Sequence, residues 1–533
     1  MIKTLKIKDP IFGYIPVSDN DLYTVINSAM FHRLQDIIQT SYQSVYPSAT
    51  HNRFTHSLGV YHLGQIAVAK LQSDILKQEL ADEDCLKKLS KTFVLACLMH
   101  DIGHSPFSHT GEEFYFQYNE NPNIPVIWQK LLDLLNDDSF IADSNGNTQT
   151  VGKEHEIMSA YVSLVNFPQI FNDLDKSFFV RCIIGLKYSD KTDIKNCFVE
   201  LLNSKTIDVD KLDYLIRDSY ITGFKSINID FERLLNAICV MKSSEEITLG
   251  FEKSALSTLE NVILAHDMES KWIQNHPVIK YECYLVSYMI SKAQVYYKSK
   301  NINLFSSDAL SEKGVSNEET TICLLSDSDI IAYTKQLYSS DLIIKEYFCR
   351  GERRKSLWKS ESEYRILFEQ RGVTNEILTE LEKRISSLED LLLEKFDIPL
   401  INQNTLDYLK SEINDETIPE LIRKSKSLEL QKSIDLLNVL KNYSENNNIM
   451  FEYVLVSAKQ FKTGFNKDEF KSIKVRFSKD DIKTLESVVY LFSAKKPNDN
   501  FFYLFANSSE RDKIDVSKLT FEIVDFILKE YNK

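Results

Sequence analysis

All ten histidines of the 533 residues fall at or before His276, so any imidazole chemistry belongs to the N-terminal part of the chain. Six of them fall in three short stretches, His51–Gly59 (HNRFTHSLG), His100–His109 (HDIGHSPFSH) and Glu154–Glu156 (EHE), and a fourth, Asp208–Asp218 (DVDKLDYLIRD), is rich in acids. Imidazole nitrogen and carboxylate oxygen are ligands for a divalent cation of borderline hardness. The same groups move protons near neutral pH. His100-Asp101 follows an all-apolar segment and precedes Gly103. That order sets two polar heads at the rim of a dry core, where burial is costly unless a metal or hydrogen bonds satisfy them. Each motif alone is weak. His32, His62, His266 and His276 read first as hydrogen-bonded, inert side chains, and Asp208/Asp210 reads first as a cap or turn device. Taken together, however, His51, His56, His100, His104 and His109 with Asp101 exceed what caps and core polar groups explain. Residue types and spacing favour a metal or acid–base site.

The elements that must position these residues are mostly helical. Apolar spacings of three and four predict helices over Met30–Gln39, Leu58–Leu71, Thr92–His100, His155–Val165 and Phe231–Val240. Thr92–Met99 is apolar on nearly every face and reads as a buried central helix. Asp138–Lys153 is polar and reads as a loop, and Lys298–Thr320 as a candidate boundary. Leu378, Leu381, Ile385, Leu388 and Leu392 form a narrow seam on a helix capped by Thr374 and followed by Ile398-Pro399. Two heptads favour core packing over a coiled coil. Strand-like patterns follow at Phe451–Ser457, Ser472–Ser478 and Phe501–Ala506, then an amphipathic helix at Val516–Tyr531. The expected organisation is a helical core over 1–300 with a polar insertion near 138–153, a mainly helical extension over 301–445, and a small α+β region over 446–533 serving oligomerisation or regulation.

Composition bounds the function. Hydrophobic residues at 43% and only 14 Gly and 11 Pro describe a globular chain. A net charge of −14 disfavours extended nucleic-acid binding and a membrane-surface role. Eight Cys without a CxxC pair, and an N-terminus lacking an apolar signal segment, predict reduced thiols in a cytoplasmic protein. No apolar run approaches the roughly 18 residues of a spanning helix, so no membrane association is expected.

The run Phe31–Gly59 (FHRLQDIIQTSYQSVYPSATHNRFTHSLG), followed in order by HDIGHSPFSH, EHE and DVDKLDYLIRD, resembles the HD-domain phosphohydrolases. Within them it is similar to the deoxynucleoside triphosphate triphosphohydrolases, which include bacterial dGTPases and the vertebrate SAM- and HD-domain dNTPase. The match runs from Lys8 to about Ala293 and has no counterpart of the SAM domain. It implies a mainly α fold, an HD-domain helical core with a C-terminal α/β (α+β) region. It implies one divalent metal ion, with Mn, Fe, Mg, Zn, Ni and Co not distinguished, on His56, His100, Asp101 and Asp210, and a second Mg accompanying the nucleotide. By the same resemblance His104, His109 and His155 line the α-phosphate as catalytic groups, Arg53 and Lys211 contact the phosphates, and Gln39, Tyr214 and Asp218 face the sugar, Asp218 accepting from the 3′-hydroxyl. The implied reaction releases a deoxynucleoside and inorganic triphosphate.

Two positions depart from the family pattern. Glu112 stands where an Asp commonly orients the catalytic histidine, and Thr40 stands where the vertebrate enzyme has an apolar residue near the sugar's 2′ position. The resemblance further implies a homo-oligomer and an allosteric nucleotide. The basic cluster Arg350–Lys355 (RGERRK) is a candidate polyphosphate contact, with a solvated surface loop the favoured reading. An HD phosphodiesterase or nuclease and a non-catalytic nucleotide sensor are the alternatives. The absence of a GYP motif and of a Walker A sequence counts against two forms of the former.

Overall fold

The computed structural model describes residues 5–116, 125–145, 152–224, 228–369, 373–396, 399–413, 420–457, 470, 473–478, 481–489 and 501–531. The fold is mainly α, with a helical core and an α/β C-terminal region, as expected. Two compact units emerge, each assembled from separate segments. One comprises Met1–Glu269, Lys292–Tyr333 and Gly464–Ala494, the other Ser270–Ser291, Thr334–Thr463 and Lys495–Lys533. These units cut across the linear segments expected at 300 and 445. The strand Lys474–Ser478 shows why: it pairs in parallel with Ile247–Glu252, Val475 opposite Phe251, and so builds a C-terminal stretch into the N-terminal unit.

In the first unit the helix Arg53–Lys77 packs along Glu83–Met99 and against Val209–Thr222. Glu83–Met99 carries the expected all-round burial, from Thr92 and Phe93 through Leu95–Met99. Two glycines set the approaches that matter for chemistry. A Cβ on Gly59 would fall 1.9 Å from Asp213 Oδ1, so only glycine lets Arg53–Lys77 bring His56 against Val209–Thr222. A Cβ on Gly103 would meet the backbone of Met158 and Ser159 at 2.6 Å, so the turn after His100 lies directly on the helix Glu154–Asn166. A four-stranded sheet, ordered Asp481–Thr484, Lys474–Ser478, Ile247–Glu252, Ile238–Lys242, completes the unit.

In the second unit the sheet order is Lys355–Ser356, Phe502–Ala506, Tyr453–Ser457, Leu400–Ile401, all antiparallel. Phe502–Ala506 and Tyr453–Ser457 are buried throughout. The Leu378–Leu392 seam lies on the helix Asn375–Phe396 with all five residues buried, and Thr374 Oγ1 accepts from Ile377 N. The last helix spans Val516–Tyr531. Ile398 lies outside the described residues. Among the described residues, no helix is long and apolar enough to cross a membrane.

Four local expectations are corrected. Met30–Gln39 is helical only over Ala29–His32 and 3₁₀ over Arg33–Asp36, because Asp327 takes the Ile38 N–H at 2.9 Å and the buried Arg33 ties to the Ile102, His104 and Leu325 carbonyls. Phe231–Val240 ends its helix at Asn236, and Ile238–Lys242 becomes a buried strand, since a short apolar run takes whichever period its neighbours complete. Asp138–Asn145, expected in a loop, is helical. Asp137 caps it through Ser139 N and Phe140 N, and Phe140 is buried under the Arg181 guanidinium. Finally, Arg353 and Arg354 of the RGERRK cluster are buried rather than solvated. Arg353 pairs with Glu282, and Arg354 with Glu346 and Glu452, so neither guanidinium is available to a phosphate.

Candidate functional site

Helix ends converge on the predicted ligands. Asn52 caps the helix Arg53–Lys77 by accepting from Thr55 N, which sets Arg53 and His56 in its first turn. His100 is the C-cap residue of Glu83–Met99, with Asp101 in the turn beyond. Asp208 caps Val209–Thr222 by accepting from Lys211 N at 2.8 Å, leaving Asp210 in the first turn to face the histidines. The two carboxylates therefore divide the roles left open by their spacing: Asp208 is the cap and Asp210 the ligand-side group.

His56 Nε2 lies 2.9 Å from Asp210 Oδ1 and 3.7 Å from Asp101 Oδ2. His100 Nε2 lies 3.5 Å from both Asp101 Oδ1 and Asp210 Oδ1. Outer partners fix both rings. His56 Nδ1 stands 2.8 Å from Asp213 Oδ2, and Asp213 is held by Arg217, itself paired with Asp9. His100 Nδ1 stands 3.0 Å from the Cys97 carbonyl. Each ring thus spends its Nδ1–H outward and turns Nε2 inward, the arrangement metal-ligating histidines use. The buried His100 Nε2 has no hydrogen-bond partner among the described residues. A nitrogen lone pair facing carboxylate oxygens at that range calls for positive charge between them. His56, His100 and Asp101 therefore fit a divalent cation, with a donor set suited to a borderline metal, and Asp210 adds a carboxylate beside the two imidazoles. Burial pulls the His56 pKa down, but the Asp210 and Asp213 carboxylates outweigh it and lift it to about 9. Burial also pushes the Asp101 carboxyl up, yet Arg53 at 2.8 Å and the histidines hold it well below the usual range.

A second cluster adjoins this one through Arg53, whose Nε donates to Ser108 Oγ while its Nη1 pairs with Asp101. Glu112 Oε1 lies 2.5 Å from His155 Nδ1 and 3.2 Å from His109 Nδ1. The His104 and His155 rings stack at 4.6 Å, and His109 stands edge-on to both at 5.1 Å. Burial raises the Glu112 carboxyl, but His155 and His109 hold it well below the usual range. Burial depresses His155, and Glu112 more than restores it. Burial, with Arg53 and His155, keeps His104 well below the normal imidazole pKa. The Glu112 carboxylate thus favours a proton on His155, while burial disfavours one on His104 and His109.

The loop carrying His104 and His109 is strained: Phe107 and Ser108 adopt φ of 58° and 55°, conformations costly for residues with a Cβ. Asp327 over-determines it, accepting from Phe107 N at 2.6 Å and Ile38 N at 2.9 Å. Burial pushes the Asp327 carboxyl up to about 7. Asp327→Ala should leave two buried backbone donors unpaired and destabilise the chain by about 3 kcal/mol, with Asp327→Asn recovering part of it. Urea unfolding with an unchanged midpoint for Asp327→Ala would discard this role.

The residues expected to bind substrate are placed less uniformly. Arg53 is buried within the metal-side cluster. Lys211 Nζ donates to the Ser204 carbonyl and to Asp208. Tyr214 is one turn further along the same helix and half-buried. Asp218 is buried with Oδ1 at 2.7 Å from His51 Nε2. Gln39 is buried, and its Oε1 has no partner among the described residues. Four contributors were not singled out from sequence: Asp213, Arg217, Ser108 and Asp327. The first two lie inside the quoted stretch Asp208–Asp218, one and two turns beyond Asp210, where helical pitch is the available signal. None of His32, His62, His266 or His276 belongs to either cluster among the described residues.

Residues 53–141 match the family model of the HD domain. An uncharacterised protein of Mycoplasma genitalium is 29% identical over 262 residues, covering 48% of this chain and 53% of its own length. The deoxynucleoside triphosphate triphosphohydrolase SAMHD1 of Homo sapiens is 26% identical over 441 residues, covering 78% of this chain and 64% of its own. The chain spans between 37% and 66% of the length of the curated relatives it matches. Among solved structures, a hypothetical protein from Aquifex aeolicus shares the fold with a TM-score of 0.54 at 17% identity, over 98% of this chain and 100% of that one.

Proposed function

We propose that this chain, which carries an HD domain and is homologous to HD-domain proteins that include dNTP triphosphohydrolases, hydrolyses deoxynucleoside triphosphates at the α-phosphate. The observation that carries the reading is the adjacency of the two clusters. Four ligand-type side chains converge from three helix ends, and a carboxylate–imidazole set stands next to them, linked through Arg53. A bound divalent cation would neutralise phosphate oxygens and make a water nucleophilic. The rest falls to the chain. Asp213 and the Cys97 carbonyl hold the two ligand rings in one tautomer. Arg53 and Lys211 place positive charge where a triphosphate would lie. His155, kept protonated by Glu112, stands ready to supply the leaving 5′-oxygen with a proton, and neutral His104 and His109 offer hydrogen bonds to the α-phosphoryl oxygens. Gln39 and Tyr214 would face the sugar, and the His51–Asp218 pair would meet its 3′-hydroxyl through the remaining carboxylate oxygen.

The reading includes a homo-oligomer, a cytoplasmic setting and an activating nucleotide. Since Arg353 and Arg354 are already paired, an activator would have to be held by other groups. The test is hydrolysis of a mixed dNTP and NTP panel with added divalent metals, each nucleotide also tried as activator, and products separated by chromatography. Nucleoside plus triphosphate is expected; nucleotide monophosphate plus pyrophosphate, or no turnover with metal bound, would reject the reading. Thr40 bears on sugar choice, because its buried hydroxyl has no partner among the described residues and could meet a 2′-OH. Thr40→Leu should raise the dNTP-to-NTP preference by about tenfold. A preference unmoved by the substitution would remove Thr40 from the sugar site.

A further inference from the structure

Glu112 gathers three imidazoles around one oxygen. Beyond the 2.5 and 3.2 Å approaches of His155 and His109, His104 Nε2 lies 3.6 Å from the same Oε1. One ligand-capable atom from each of His104, His109, Glu112 and His155 falls within 4.8 Å of all the others. His104 is fully buried, and neither of its ring nitrogens has a hydrogen-bond partner among the described residues. Proton transfer between Glu112 and His155 does not require that arrangement. An inert core histidine would be hydrogen-bonded, and one serving only to position a neighbour would spend at least one ring nitrogen doing so. An unsatisfied lone pair aimed into a group of nitrogen and carboxylate donors is what an absent cation leaves behind.

We infer that His104, His109, Glu112 and His155 form a second divalent transition-metal site, separate from the His56–His100–Asp101–Asp210 set. Three imidazoles and one carboxylate select a zinc-like cation over magnesium or calcium, which favour all-oxygen shells. His155 must give up its proton as the ion binds, and one carboxylate among three imidazoles leaves the dication incompletely neutralised, so the ion exchanges more readily than in a structural thiolate site. His109, with a side chain 40% exposed, gives the ion its way in. The Glu112 side chain reaches all three rings from the first residue of the short helix Glu112–Tyr115. Filling the site occupies the Glu112–His155 pair, so the second ion inhibits; this consequence alone rests on the triphosphohydrolase reading.

The experiment is titration of the EDTA-treated full chain with cobalt(II), following visible d–d absorption and counting retained metal by elemental analysis. About two equivalents per chain are expected, with turnover falling as the second binds. Asp101→Ala should lose one equivalent and keep the other. His109→Ala and Glu112→Gln should each lose the equivalent that Asp101→Ala keeps, and because His109 is half-exposed its truncation leaves the core packed. A parent count of about one, or a count unchanged in both His109→Ala and Glu112→Gln, overturns the second site. Two equivalents with no turnover on any nucleotide would uphold the site and reject the triphosphohydrolase reading.

Discussion

Asp101→Ala is expected to abolish high-affinity metal binding at the His56–His100–Asp101–Asp210 set and to lower turnover by about 10³-fold or more, the loss of several kcal/mol of charge stabilisation. The geometry makes both losses follow from one carboxylate. Oδ1 faces His100 Nε2 at 3.5 Å, while Oδ2 is shared between Arg53 at 2.8 Å and His56 at 3.7 Å. Truncation also strands Arg53, whose side chain is only 4% exposed, and an uncompensated buried charge costs about 3–5 kcal/mol. Asp101→Asn separates the effects: it keeps an oxygen for Arg53 and preserves the fold while still weakening the metal. Elemental analysis and thermal melts on both variants are the measurement. An Asp101→Asn chain that melts normally and keeps its full metal and activity would remove Asp101 from the ligand set.

His155→Ala should lower kcat by about 10²- to 10⁴-fold while KM and metal at the His56–His100–Asp101–Asp210 set stay near their parent values. The sign of the pH dependence follows from the Glu112–His155 contact. Glu112 is held well below the ordinary carboxylate range, and His155 is raised above the ordinary imidazole one. Activity should climb as Glu112 ionises at acidic pH, hold while His155 keeps its proton, and fall as pH rises through the raised His155 pKa. His155→Ala should lose the alkaline limb. A variant retaining both its rate and that limb would defeat the proton-donor role, whatever its metal content.

That a metal or acid–base site lies among these histidines was legible because the residue types are scarce. Ten histidines confined to one part of the chain, with Asp101 after an all-apolar segment, leave few ways to satisfy them. The central helix was legible for a similar reason, since Thr92–Met99 has no polar face to turn outward. The stretch Asp208–Asp218 shows where such reading stops. It holds four aspartates, and composition cannot tell them apart. Asp208 caps the helix, Asp210 faces the ligand rings, Asp213 orients His56 from one turn on, and Asp218 holds His51. Those assignments come from helical pitch and from Gly59, which lets the neighbouring helix close on Asp213.

The same division holds for the elements. Long periodic helices were determined locally, because an apolar stripe repeated over several turns has one efficient burial. Short runs were not. Ile238–Lys242 became a strand because Ile247–Glu252 and Lys474–Ser478 supplied a sheet, and Arg353 and Arg354 went inward because Glu282, Glu346 and Glu452 were there to meet them. The sequence by itself determined which groups can bind a cation or move a proton. The tertiary structure decided which nitrogen each ring presents, which carboxylate faces it, and that Glu112 meets three histidines at once, because these depend on partners far apart in the chain that only packing brings within bonding distance.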